Sequence, residues 1–238
     1  MTRFNSLSRT SFYFCLLISL LFFTFGAKAQ NTTSKKLSKE EINSIFTTER
    51  KADLAIHYPI FQVHTYSDKK GKYYIVLSEY LPADAKAKDA ISKVQEVYIK
   101  YQDGKYTRIS ETNNHIREEQ YETGVWFWTK FLSLEDLNSD GEVDPIIVFG
   151  SVGMNKYDDG RINFIIHHKE KKVMIYHQNG VLDSDRYTNV DASFYELPIS
   201  IQNKVKEMMV NFENIEYAIF PAGWKEAMAK KRGYFDEN

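Results

Sequence analysis

Oxygen-bearing side chains alternate along residues 136–144: Asp136, Asn138, Asp140, Glu142 and Asp144, with Gly141 following the third. Hard oxygens at this spacing suit a hard cation. Ca²⁺ takes about six to eight oxygen ligands, from carboxylates, amides and backbone carbonyls. Asp136, Asn138 and Asp140 would gather around one point, Gly141 would let the chain turn, the Glu142 carbonyl would enter as a backbone ligand, and Asp144 would close the set. A helix-flanked EF-hand loop would also need a bidentate Glu at its twelfth position. That position is Ile147, inside the apolar run Ile146–Phe149, so the loop belongs to another class and leads into a strand. The same residue types also build plain surface turns.

Other constellations offer less. Asp158, Asp159 and Arg161 flank Gly160. Either aspartate could add an oxygen to the cation, or the segment is a surface turn in which Arg161 pairs an aspartate. Trp126 and Trp128 bracket Phe127. On a strand, alternate residues share a face, so the tryptophans would either stand open to a ligand ring or be covered by a second layer. His167 and His168 are adjacent and point to opposite faces of a strand, and no His-x-x-x-His pattern occurs, which argues against zinc or copper. No Gly-x-Ser-x-Gly elbow is present. With 32 acidic residues, no facing carboxylate pair can be selected for acid–base chemistry, so no catalytic residue is assigned.

The elements that position these residues read as successive hairpins. Period-two apolar patterns cover Phe61–Tyr66, Tyr73–Tyr80, Val94–Tyr101, Lys105–Ser110, Val125–Leu132, Ile146–Gly150, Arg161–His167 and Lys172–Tyr176. Turn residues such as Asp103-Gly104 separate them. Ser38 with Glu41 forms a capping box that opens a short helix. Pro198 precedes an amphipathic stretch carrying Ile199, Ile201, Val205, Met208, Met209 and Phe212, and a last helix is predicted from about Gly223. The fold class expected is α+β: mainly antiparallel β-sheet, with a short N-terminal helix and two C-terminal helices. Residues 38–238 form its single domain, the calcium loop lies at 136–144, and 30–37 is a disordered polar linker.

The chain opens on Arg3 and Arg9, an apolar stretch Phe12–Phe25, and Ala27-Lys-Ala29. This reads as a signal peptide over residues 1–29, with export to the periplasm, cell surface or medium. The single cysteine, Cys15, lies within it. The exported part would therefore have no disulfide and would depend on its core, a metal, or both. The net charge of −1 carries no basic stripe, which excludes nucleic acid as a partner. No transmembrane segment is expected after signal cleavage.

The stretch from about Phe61 to Lys230 resembles exported proteins of Bacteroidetes-type bacteria named for surface polysaccharide biosynthesis. The resemblance rests on Trp126–Lys130, Asp136–Gly150, Asp159-Gly-Arg161, His177–Gly180 and Ala218–Pro221. The loop itself is similar to the integrin-like calcium loops of FG-GAP and VCBS-type β repeats. The resemblance implies an envelope protein linked to lipopolysaccharide or capsule, and supplies no catalytic residues. The expected function is a non-enzymatic, calcium-binding factor in surface polysaccharide assembly, partnered by surface glycan or an envelope protein. The alternative is a hydrolase or transferase acting on that glycan.

Overall fold

The computed structural model describes residues 32–83, 85 and 90–237; the signal-peptide reading of 1–29 lies outside them. The protein is α+β and mainly antiparallel. One sheet has the order β1–β2–β3–β4–β5: Thr33–Lys36, Ile60–Asp68, Gly71–Tyr80, Lys93–Gln102 and Lys105–His115. The second runs β12–β11–β10–β9–β8–β6: Tyr234–Asp236, Tyr187–Val190, Lys171–Gln178, Arg161–His168, Asp144–Val152 and Gly124–Phe127. The short β7, Ser133–Glu135, also pairs β8. Among the described residues, four α-helices complete the fold: α1 Lys39–Ile45, α2 Thr48–Asp53, α3 Ile199–Asn214 and α4 Trp224–Ala229.

These elements stack as helices, sheet, sheet, helices. Val63, Val76, Val97 and Ile99 on the outer face of the first sheet pack against Phe46 and Leu54 from the α1–α2 segment. Ile75, Leu77 and Tyr98 meet Ile147, Phe149 and Ile165 between the sheets. On the far face of the second sheet, Val148, Ile162 and Phe164 meet Val205, Met209 and Phe212 of α3. Strands β8 and β9 are thus covered on both faces, which explains their near-continuous apolar runs. Burying one such side chain contributes about 1.5–3 kcal/mol.

Local chemistry fixes the breaks. The short N-terminal helix is two helices rather than one. Phe46 leaves the helix to pack on Tyr74, and Thr47 caps the next helix through its Oγ1, 3.3 Å from Arg50 N. Residues 33–36, expected within a disordered linker, are a strand in register Thr33↔Ser67 to Lys36↔His64. Every residue of that strand is exposed, so no apolar alternation marks it. Val125–Leu132 is not one strand. It breaks at Trp128, where a 3-10 turn Thr129–Phe131 drops the ring of Trp128 over Gly150. A Cβ on Gly150 would stand 2.3 Å from that ring; only glycine leaves room.

Candidate functional site

The acidic segment is the connection between β7 and β8. Its carboxylates fold back on its own backbone: Asp136 Oδ1 and Oδ2 accept from Asp140 N (3.1 Å) and Gly141 N (2.8 Å). Asn138 Oδ1 accepts from Asp140 N (2.9 Å), and Asp140 Oδ1 from Glu142 N (2.9 Å). Positive φ at Ser139 (59°) and Gly141 (85°) makes this curl. Desolvation pushes the Asp140 carboxyl up, but the Glu142 N–H, Asn138 and two lysines outweigh it, and the net shift is downward.

The other two predicted ligands are turned elsewhere. The Glu142 side chain lies 3.2 Å from Lys69 Nζ. Asp144 is fully buried, with Oδ1 2.7 Å from His168 Nδ1 and Oδ2 accepting from Leu137 N at 3.1 Å. Burial raises the Asp144 pKa, partly opposed by the His168 bond. Among the described residues, no three His, Cys, Asp or Glu side chains stand together as a metal-binding group. Asp136, Asn138 and Asp140 fit a hard cation in donor type. Glu142 fits through its carbonyl, and Asp144 serves the β7–β8 pairing.

The loop is also clamped to the other sheet. Lys69 N donates to Gly141 O (3.1 Å), and Asp68 Oδ2 accepts from Val143 N (3.1 Å). Lys69 Nζ donates to the Asp140 carbonyl. The β2–β3 turn therefore latches onto the β7–β8 connection.

The tryptophans do not form an open platform. Trp128 is 5% exposed and sits edge-on to Phe212, Tyr157 and Tyr217. Trp126 is half-buried and packs into both cores of the second sheet. Arg161 is 1% exposed and faces inward. Its guanidinium bonds Glu122 through Nε and Nη2, Asn114 Oδ1 through Nη1 (3.0 Å), and the His115 carbonyl through Nη2 (2.8 Å). Ser151 Oγ completes the cluster on Glu122 Oε1 at 2.8 Å. Arg161 therefore positions the 113–122 segment and is closed to ligands. Asp158 is exposed on the surface, and Asp159 lies beside it on the wall of a cavity.

That cavity, about 480 Å³, is where the motifs scattered along the sequence converge. Glu119, Tyr121, Asp159, Asn179, Asp185 and Tyr187 line it. Asn179 is the hub of its floor. Its Nδ2 donates to the Tyr157 and Tyr217 carbonyls (2.7 and 2.9 Å). Its Oδ1 accepts from Ile219 N (2.8 Å) and faces His177 Nε2 at 2.7 Å. On the other side of the ring, His177 Nδ1 faces the Tyr187 carbonyl at 3.1 Å and Thr188 Oγ1 at 3.0 Å. Burial depresses the His177 pKa to about 4, so the ring is neutral. Gln178 Nε2 donates to the Asp159, Gly160 and Asn179 carbonyls.

With these amides committed to the backbone, the open chemistry belongs to Tyr121, Tyr187 and the exposed carboxylates of Glu119 and Asp185. Asp159 Oδ2 accepts from Asn155 N and Nδ2 (2.8 and 3.0 Å), while Asp159 Oδ1 is buried with no hydrogen-bond partner. Tyr121 is 70% exposed, and its φ of 57° sets it at the end of the Glu118–Gln120 turn. Among the described residues, no lysine or arginine lines the cavity. Such a wall suits a ligand rich in hydroxyl or N–H donors that carries no negative charge.

Sequence reasoning placed Asp159 among the candidates and did not find Tyr121, Asn179, Asp185 or Tyr187 as its neighbours. The one signal was His177-Gln-Asn-Gly180, which reads as a turn; buried amides at the end of a strand satisfy loop carbonyls and so mark where loops meet. Comparison with protein-family models, curated proteins and solved structures finds no match.

Proposed function

We propose that this chain is an exported factor of the cell envelope that binds surface glycan without converting it, its acidic loop held by calcium. The observation that carries the reading is the cavity at Asp159. It combines the carboxylates of Glu119, Asp159 and Asp185, tyrosine rings at Tyr121 and Tyr187, and, among the described residues, a lining free of cationic side chains. A sugar offers hydroxyl donors along its edges and C–H groups on its faces. The exposed carboxylate of Glu119 or Asp185 would accept from a hydroxyl, and the rings would cover a C–H face. A charge-assisted hydrogen bond of this kind is roughly twice as strong as a neutral one.

Calcium would be held by the side chains of Asp136, Asn138 and Asp140 and by the Glu142 carbonyl. It would neutralise the loop's carboxylates, opposed by the Lys69 ammonium of the β2–β3 turn. The Asp159 cavity lies on the Tyr157–Asp159 turn and the β10–β11 connection, so glycan contact is separate from the metal. No described helix is long and apolar enough to cross a membrane.

The test is titration calorimetry with saccharides cleaved by mild acid from bacterial capsule and lipopolysaccharide. Binding is expected, weakened at least about tenfold by Tyr121→Ala and by Asp159→Ala, with the saccharides recovered unchanged after long incubation. Absence of binding overturns the proposal. Shortened saccharides would favour the hydrolase reading, for which Glu119 and Asp185 on the same cavity are the carboxylates to replace.

A further inference from the structure

A second cavity, about 550 Å³, abuts the first. Tyr58, Lys93, Asn113, Asn114, His115 and Glu118 line it, and Glu119 belongs to the linings of both. Each volume lies within the range of about 300–1,000 Å³ common to small-ligand sites. The ridge between them is the 3-10 turn Glu118–Gln120. It is closed at its base, where Arg117 N donates to Glu122 Oε2 (2.7 Å) and Glu122 N to the Arg117 carbonyl (3.2 Å). The buried Arg161–Glu122 pair pins that base to the second sheet. The two cavities are therefore held in fixed relation across one exposed glutamate.

Their chemistry differs. Among the described residues, the first is lined by carboxylates with no cation, and the second by Glu118 and Glu119 together with one cation. The second has Lys93, an exposed residue, with Nζ 5.9 Å from the Tyr58 ring centroid and 5.5 Å from that of Tyr80. The ammonium rests on an aromatic pair whose centroids are 5.9 Å apart, and no carboxylate among the described residues lies within ion-pair distance of it. Asn113 and His115 add hydrogen-bonding groups on the same wall.

We infer that the site takes a linear glycan of two or more units laid across the Glu119 ridge, a neutral unit at Asp159 and an acidic unit at Lys93. The inference rests on the glycan reading above and names its substrate class. A chain that fills both cavities is bound as one molecule, so the second contact adds affinity without a second association cost. The acidic unit fixes direction along the groove: at Lys93 an ammonium offsets the carboxylates of Glu118 and Glu119, whereas reversing the chain would set the anion against Asp159 and Asp185 with no cation on the same wall.

The experiment uses the same acid-released saccharides, sorted by length and then by anion exchange into neutral and acidic pools, with the whole exported chain. Acidic fragments of four units are expected to bind about tenfold tighter than single sugars and than neutral fragments of equal length. Lys93→Met, an exposed substitution, should remove that advantage while leaving single neutral sugars unaffected, and raising salt should act in the same way. If all lengths and both pools bind alike and Lys93→Met changes nothing, the two-cavity inference fails while glycan binding stands. If no pool binds, both fail.

Discussion

Arg161 and Glu122 meet in the interior with Nη2 2.6 Å from Oε2, the two side chains 1% and 0% exposed. This bidentate pair joins the start of β9 to the loop after β5, and every acceptor on Glu122 is used. Removing one partner strands the other charge in a low-dielectric interior. Glu122→Ala should lower unfolding free energy by about 3–5 kcal/mol, and pairing it with Arg161→Met should recover much of that. Urea denaturation of the single and double variants measures both. A cost below about 1 kcal/mol for the single variant would show that the guanidinium finds water instead.

The acidic loop makes a ligand-dependent prediction. Asp140→Ala should lower the melting temperature in millimolar calcium and change it little in chelator, since a ligand stabilises by RT ln(1 + [L]/Kd). Lys69 donates to the Asp140 carbonyl and sits 3.2 Å from Glu142, an ammonium beside the place a cation would occupy. Lys69→Met should therefore tighten calcium binding severalfold, read by titration calorimetry. Equal losses for Asp140→Ala in calcium and in chelator would assign the aspartate to the loop's own hydrogen bonds alone.

Gly160 packs against β8 so closely that a Cβ would stand 2.0 Å from the Ser151 carbonyl oxygen. Backbone cannot move aside as a flexible side chain can. Gly160→Ala should displace Arg161 and the Asp159 wall together, lowering both the melting temperature and saccharide affinity. Gly104, with nothing within 4 Å of an added Cβ, is the control for added bulk; its φ of 79° adds only local turn strain.

His177 gives the pH dependence. Its pKa is depressed by burial from 6.5 to about 4, so the unfolded chain takes up this proton first. Stability is then greatest above about pH 6.5 and falls as pH drops toward about 4, by up to roughly 3 kcal/mol from this group. His64, also depressed to about 4 by burial, acts in the same direction. Chemical denaturation of wild type and His177→Gln across that window should show a shallower slope in the variant. Parallel slopes would remove His177 as a source of the acid sensitivity.

What the sequence makes legible here follows from how each contact is coded. The hairpins from Ile60 to Gln102 and from Arg161 to Gln178 are written as local alternation with turn residues between, and they form where expected. The strand Thr33–Lys36 and the strands Tyr187–Val190 and Tyr234–Asp236 lie at or near sheet edges, short or exposed, and leave no such pattern. The cavity was the least legible part. Tyr121, Asp159, Asn179 and Tyr187 come together only because strands far apart in sequence lie side by side, and no spacing rule states that. Arg161 and Trp128 attracted notice as reactive types, and the fold uses both as interior fittings.

The burial of Trp128 gives the molecule an internal optical probe. Its indole touches Tyr157 and Tyr217 edge-on, and those rings stack at 4.1 Å, while their carbonyls hold Asn179 beneath the cavity. Any adjustment of that floor is handed to a fluorophore shielded from solvent. Emission wavelength and quenching can then follow occupancy in unlabelled protein, against a background of only two other tryptophans among the 3 in the chain.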